Sequence, residues 1–312
     1  MSELQPRKDL LDIESLSLEE IEYIFENAAP FKQLFQRSVK KVPTLRGKTV
    51  LNLFYEPSTR TSSSFEVAAN RMSADVTNFA VSSSSVVKGE SLLDTIETLQ
   101  AMRTDYIVIR HQAAGVPEIV AKHTRASVIN AGDGYHAHPT QALLDSMTFR
   151  EVYPEYQGRK VVIVGDILHS RVARSTSTLF NKLGIEVGVL GPGSLVPAGR
   201  HDFMKRLHSW DEVFDWGPDA VYLLRVQMER QEGQFFPSVA EYHKMYGMNG
   251  DRLVKLRQLG AYLMHPGPVN RGVEITDEAM RYEKSLISTQ VENGIAVRMA
   301  VLHWLKSETD KD

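Results

Sequence analysis

Short apolar runs alternate along this chain with segments whose apolar residues recur every three or four positions, and each pair reads as a strand followed by a helix. Val50 to Phe54 is one such run, and Phe65, Ala68, Ala69 and Met72 then return at helical spacing, so residues 49–72 predict strand, polar turn and helix. The alternation continues with Asp75 to Val81 as strand, a Ser-rich loop from Ser82 to Ser85, and a helix carrying Leu92, Ile96 and Leu99. Tyr106 to Arg110 is then a strand, Val116 to Lys122 a helix, Ser127 to Ala131 a strand, and Leu143, Leu144 and Met147 lie on a helix after Pro139. Ahead of all this, Ser17-Leu-Glu-Glu20 is a capping box opening a helix with Ile21, Ile24, Phe25 and Ala28 on one face. Pro30 is predicted to end that helix, and a second is predicted from about Phe31 to Val39.

After the polar segment Pro154 to Arg159 the pattern restarts with Lys160-Val-Val-Ile-Val-Gly-Asp166, an apolar run of the kind buried in parallel sheets. The domain boundary is expected near residue 150, dividing residues 1–150 from 151–287. A helix to Leu183, a strand Ile185 to Leu190, a helix around 200–208 and a strand Asp219 to Leu224 follow. Residues 225–250 form a long polar stretch with a short helix near Glu241 to Met245, and a loop of that length is more often functional than a plain connector. Tyr262-Leu-Met-His265 then ends in a turn stiffened by Pro266 and Pro268. The last helix, from about Thr289 to Lys306 within segment 288–312, is expected to pack back on the first domain. The fold class is therefore α/β, two doubly wound domains, each a mostly parallel sheet flanked by helices, with ligands collecting at the carboxyl ends of the strands. Val164-Gly165-Asp166 lacks the later glycines that let a pyrophosphate approach, so no dinucleotide cofactor is expected.

At 312 residues the chain is long enough for two cores, and its 42% hydrophobic and 24% charged shares are those of an ordinary globular protein. A net charge of -3 gives no general attraction for nucleic acid or an anionic membrane, so any anion binding must be local. With no Cys there is neither a thiolate ligand nor a thiol nucleophile, which suits a reducing compartment. The first residues lack the apolar core of a signal peptide and no run approaches a membrane span, so a cytoplasmic location is expected.

Local anion binding has a clear candidate. Ser58, Thr59, Arg60 and Thr61 fall in the turn that opens the helix after the first strand, where backbone N–H groups and the helix dipole converge. One Ser or Thr suffices to cap a helix; six hydroxyl residues interrupted only by Arg60 exceed that need and read as a phosphate cradle. Other polar residues at predicted strand ends are Arg110, His138 and Gln141 in the first half and Arg171, Arg225 and Gln227 in the second. Such cations and amides hold anions and polarise a carbonyl; no nucleophile stands beside a base. His136-x-His138 has no further ligand cluster at metal spacing, so no metal is expected.

Ser58-Thr-Arg-Thr61, Lys88-Gly-Glu90, Arg110-His111, Gly132-Asp-Gly with His138-Pro-Thr-Gln141, Gly165-Asp with Arg171, Arg225-Val-Gln227 and His265-Pro-Gly-Pro268 together resemble the ordered motif set of the aspartate carbamoyltransferases, within the aspartate/ornithine carbamoyltransferase family. The resemblance runs from about residue 50 to 275. It implies transfer of a carbamoyl group from carbamoyl phosphate to L-aspartate in pyrimidine biosynthesis, without a cofactor, at the cleft between the domains. Ser58, Thr59, Arg60 and Thr61 would hold the phosphate, and Thr61, Arg110 and His138 would donate to the carbamoyl oxygen. Gln141 would bind the carbamoyl NH₂, and Arg171, Arg225, Gln227 and the turn at Gly267 and Pro268 would bind aspartate. Ser84 and Lys88 would reach a neighbour's site, Ser84 toward carbamoyl phosphate and Lys88 toward aspartate and as a catalytic residue with Thr61, Arg110 and His138, in a homotrimer with shared sites; regulatory or dihydroorotase-like partner chains are open. An ornithine-specific relative carries a Cys in the late turn, which this chain lacks. The familiar form of that turn has Leu between the prolines where this chain has Gly267. Asn270 and Arg271 follow it. Transfer to another amino-acid acceptor, or a silent subunit that binds partners, are the alternatives.

Overall fold

Every apolar run that the pattern marks as a strand is one in the computed structural model, which describes residues 5–80, 91–197, 204–226 and 238–306. The chain divides into two compact units, one of residues 1–144 and 292–312, the other of residues 145–291. Among the described residues no helix is long and apolar enough to cross a membrane.

The first unit opens with α1 (Leu18–Gln33) and continues through β1 (Thr49–Phe54), α2 (Thr59–Arg71), β2 (Asp75–Ala80), α3 (Leu92–Ala101), β3 (Tyr106–His111), α4 (Val116–Lys122) and β4 (Ser127–Asp133) to α5 (Pro139–Val152). Its strands are all parallel in the order β2-β1-β3-β4. Leu51, Leu53, Ile107, Ile109 and Val128 of the sheet pack with Ile96, Leu99, Val116 and Val120, because parallel strands covered by helices bury apolar side chains. The capping box closes as expected: Ser17 Oγ accepts from Glu20 N, and Glu20 returns a carboxylate oxygen to Ser17 N. Pro30 does not end α1, which runs on to Gln33 and a 3₁₀ turn at Leu34–Gln36. The proline lies on the exposed side, so the carbonyl whose helical partner it removes is not shut into the core. The predicted helix over 31–39 is thus the end of α1 and that turn.

The second unit contains β5 (Lys160–Val164), α6 (Arg171–Lys182), β6 (Glu186–Leu190), β7 (Met204–Arg206), α7 (Trp210–Trp216), β8 (Ala220–Leu223), α8 (Val239–Tyr246), α9 (Gly250–Leu259), β9 (Tyr262–Met264) and α10 (Asp277–Met280). Its sheet, again all parallel, has the order β7-β6-β5-β8-β9. Where the sequence predicts a helix around 200–208, residues 204–206 pair with β6 as a short edge strand. Helices α7 and α9 lie outside the elements named from the sequence; α7 buries Trp210 and Val213, and α9 buries Leu253 and Leu256 and is bounded by the Asn249 cap and Gly260 in the left-handed region.

Helix α11 (Ile287–Trp304) spans the division, as does α5. In the first unit its Arg298 donates to Ser64 Oγ at 2.9 Å and lies over the Phe65 ring, while Tyr106 donates its hydroxyl to Leu305 O at 3.3 Å. In the second unit a polar knot surrounds the fully buried Asp145 of α5. Its carboxylate accepts from Thr176 Oγ1 at 3.1 Å, Tyr222 OH at 2.8 Å and Gln290 Nε2 at 2.8 Å.

Candidate active site

The strand orders place a topological switch point in each sheet. The chain leaves β1 toward β2 and leaves β3 toward β4, in opposite directions, so a crevice opens between the carboxyl ends of β1 and β3. In the second sheet the same reversal lies between β5 and β8. Among the described residues, most of the polar side chains singled out from sequence lie at or next to these two points.

At the first, Ser58 is the residue before α2 and its side chain makes no capping hydrogen bond. Thr59, Arg60 and Thr61 are the first three helical residues; their N–H groups precede the first intrahelical bond, from Ser62 N to Ser58 O at 3.0 Å. Thr59 and Arg60 are exposed, whereas Thr61 is buried and turned inward. An anion placed here meets consecutive N–H groups, two threonine hydroxyls and the positive end of a 13-residue helix. Arg110, near the end of the neighbouring strand β3, donates Nε to Glu56 Oε2 at 3.1 Å and NH1 to Ala131 O at 3.4 Å. Glu56 stands in the turn just after β1, and no local signal in the sequence marks it out; the carboxylate orients the guanidinium beside the cradle.

His138 and Gln141 belong to the adjacent strand end. His138 caps α5 through its backbone, its carbonyl accepting from Gln141 N and Ala142 N, and its ring is buried. The loop that delivers it is shaped by Asp133, whose carboxylate is 1% exposed. That carboxylate accepts from Asn130 Nδ2 at 2.8 Å, Gly115 N at 2.8 Å, Ala137 N at 3.0 Å and His136 Nδ1 at 3.0 Å. Asp133 therefore holds both ends of the loop, and its role is visible only once four partners are assembled around it. Glycine is required at Gly134, which has φ of +47° and would bring a Cβ to 2.9 Å from Gln112 O. His111 packs against Tyr55 with the rings tilted and their centroids 4.8 Å apart, and burial holds its imidazole below the usual histidine range.

At the second switch point Arg171 is the first residue of α6, buried, with Ser170 Oγ accepting from Ala173 N at the cap. The preceding loop is closed by Asp166, which accepts from His169 N at 3.0 Å and lies 3.1 Å from His169 Nδ1. Gly165 has φ of +135°, and a Cβ would lie 3.0 Å from Leu224 Cβ and 3.1 Å from the Tyr242 hydroxyl, so backbone conformation and packing both call for glycine at this strand end. Arg225 follows β8, half-buried, and Val226 after it is tied by its carbonyl to Asn270 Nδ2 at 2.9 Å. His265, Pro266, Gly267 and Pro268 follow β9, the next strand. Arg271, which also follows that turn, instead pairs with Asp277 on the surface. Ser84, Lys88 and Gln227 lie outside the described residues. Among the described residues no three His, Asp or Glu side chains gather within reach of one metal ion.

Comparisons with known proteins match the chain over nearly its whole length. The family model described as aspartate/ornithine carbamoyltransferase, carbamoyl-P binding domain, matches residues 8–151, and the one described as Asp/Orn binding domain matches residues 157–305. The aspartate carbamoyltransferase catalytic subunit of Akkermansia muciniphila is 63% identical over 304 residues, covering 97% of this chain and 98% of its own. That of Endomicrobium trichonymphae is 52% identical, covering 96% of each chain. The crystal structure of aspartate transcarbamoylase from Trypanosoma cruzi in complex with carbamoyl phosphate and aspartate superposes with a TM-score of 0.86 at 26% identity, covering 97% of this chain and 98% of that one.

Proposed function

Because this chain belongs to the aspartate/ornithine carbamoyltransferase family, we propose how its own residues divide the reaction it catalyses, the transfer of the carbamoyl group of carbamoyl phosphate to L-aspartate. The products are N-carbamoyl-L-aspartate and phosphate, and the step belongs to pyrimidine synthesis. The first unit's set takes carbamoyl phosphate. Ser58, Thr59, Arg60 and Thr61 bind its phosphate, Thr61, Arg110 and His138 donate to its carbonyl oxygen, and Gln141 accepts from its NH₂. The observation that carries this reading is the gathering of all seven residues at the carboxyl ends of the adjacent strands β1, β3 and β4.

The amine nitrogen of aspartate attacks the carbamoyl carbon, and negative charge builds on the carbonyl oxygen. Donors already aimed there lower the barrier without reorganising. The C–O bond to phosphate then breaks; the leaving phosphate takes the proton that the amine gives up. That transfer accounts for a site with donors and cations but no dedicated base. Arg171 and Arg225, with Gln227, grip the two carboxylates of aspartate, a task for which forked guanidinium groups are suited. The late turn at Gly267 and Pro268 completes this set.

A phosphonate joined to an aspartate-like dicarboxylate tests both halves together. Calorimetric titration is expected to give one tight site per chain, with affinity well above that of phosphate or succinate alone. Absence of binding overturns the reading.

The working assembly is a homotrimer in the cytoplasm, with Ser84 and Lys88 entering a neighbouring subunit's site; the absence of cysteine supports the compartment. Mixing Lys88→Ala chains with Arg60→Ala chains is expected to restore activity, since some hybrid sites then carry both residues. If each variant is dead alone and the hybrids remain dead after exchange, the shared site is refuted.

A further inference from the structure

Glu274 is 1% exposed and belongs to none of the sets named so far. Its Oε1 lies 3.1 Å from His265 Nε2 and accepts the backbone N–H of Asn270. The other ring nitrogen of His265, Nδ1, receives the N–H of Gly267 at 2.8 Å. A backbone N–H can only donate, so Nδ1 is the unprotonated nitrogen; the ring proton sits on Nε2 and points at Glu274. His265 N in turn donates to Gln290 Oε1 at 3.0 Å, and Gln290 Nε2 donates to Asp145. The result is one buried relay, Asp145, Gln290, His265 and Glu274, with Gly267 hanging from its imidazole.

Glu274 has a second arm. By fixing the backbone of Asn270 it sets the side chain whose Nδ2 holds Val226 O, the residue next to Arg225. Strand ends β8 and β9 are thereby joined through a single carboxylate oxygen. Tyr242, almost fully buried, lies beside the same group; burial first, and the charge of Glu274 second, push its phenol above the usual range. No hydrogen bond reaches Glu274 Oε2 among the described residues.

We propose that Glu274 is a positioning residue for the dicarboxylate acceptor: it fixes the His265 tautomer and the Asn270 backbone, and so holds the Gly267 turn and the Arg225 strand end in register with each other. This rests on the assignment of Arg225 and the Gly267 turn to aspartate. The carboxylate touches no reacting atom. A network of this kind acts by restricting its members to one arrangement, and losing one acceptor leaves a buried and a half-buried donor unsatisfied.

The test is steady-state kinetics at saturating carbamoyl phosphate, with carbamoyl phosphate binding measured separately by calorimetry. Glu274→Ala is expected to raise the aspartate KM about ten- to a hundredfold while carbamoyl phosphate affinity changes by less than about threefold. Glu274→Gln keeps an oxygen at the Oε1 position and displaces no bond at Oε2, so its aspartate KM is expected within about threefold of the parent's. Asn270→Ala, which cuts only the arm to Val226, is expected to show a smaller rise and serves if Glu274→Ala does not fold. An unchanged aspartate KM in the alanine variants, equal losses for both substrates, or a glutamine variant as impaired as the alanine one would overturn the inference. Arg225→Ala separates the two levels. If it too leaves the aspartate KM unchanged, the substrate assignment fails and takes the inference with it; if it raises KM while Glu274→Ala does not, the inference alone fails.

Discussion

The His138→Ala chain is expected to lose about 10² to 10³ in kcat, the usual cost of removing one well-aimed donor to a developing oxyanion, with a much smaller loss of carbamoyl phosphate affinity. The backbone around His138 is held by groups the substitution leaves in place. Its carbonyl still caps α5 by accepting from Gln141 N and Ala142 N, and Asp133 still gathers Gly115 N, Asn130 Nδ2 and Ala137 N. What disappears is the imidazole alone. In the proposed assignment the phosphate is held elsewhere, at the start of α2, so ground-state binding is expected to keep most of its contacts. An interaction made mainly in the transition state lowers kcat and kcat/KM together, whereas one made equally throughout raises KM. Arg110→Ala gives a contrasting pattern, because Glu56 then keeps its charge beside the cradle with its cationic partner gone. That variant should lose phosphate affinity as well as rate. A fall of less than tenfold in kcat for His138→Ala, with carbamoyl phosphate saturating, would remove His138 from the oxygen-polarising set.

Much of the scaffold beneath this site is legible before any coordinates. Buried parallel strands must be apolar on both faces, so Val50 to Phe54, Tyr106 to Ile109 and Lys160 to Val164 stand out as runs. The anion site proposed at the start of α2 is read from hydroxyls and an arginine that exceed what capping needs, and Ser58 forms no side-chain cap. Failures have physical causes. Strand β7 is three residues, Met204-Lys-Arg206, without alternation; it exists through its pairing with β6, a contact that no local pattern encodes. Pro30 is tolerated because it faces solvent. The holding roles of Glu56, Asp133 and Glu274 escape the sequence for a shared reason, although Asp133 itself lies in the Gly132-Asp-Gly motif. Each is an ordinary carboxylate at or beyond a strand end, and its role arises from partners that the chain brings back from elsewhere: Arg110 for Glu56, Gly115 for Asp133, His265 for Glu274. Sequence displays the residues that meet a ligand by their charge and motif; the residues that hold them still are identified by distance.

The second large effect belongs to the acceptor side. Arg171→Ala is expected to raise the aspartate KM about 10²- to 10³-fold, because truncating one partner of a buried, hydrogen-bonded charge pair costs roughly 2 to 5 kcal/mol. Arg171 opens α6 and is 4% exposed, so its guanidinium has little water to fall back on and little room to move. Its backbone is set from both sides. Asp166 holds the loop through His169, and Ser170 caps the helix through Ala173 N, neither of which depends on the arginine side chain. The loss is therefore attributable to the fork itself rather than to collapse of the loop. Arg171→Lys provides the sharper reading. It restores the charge without the two parallel donors, and a lysine at a bidentate site is expected to recover at most about tenfold of the lost affinity. Succinate, which keeps the two carboxylates but has no amine, should lose inhibitory strength in parallel with the rise in aspartate KM. Carbamoyl phosphate, gripped in the first unit, should bind both variants as it binds the parent chain. If succinate inhibition survives Arg171→Ala unchanged while turnover falls, Arg171 acts on the reaction and not on the dicarboxylate, and the assignment of the second switch point to aspartate would have to rest on Arg225 alone.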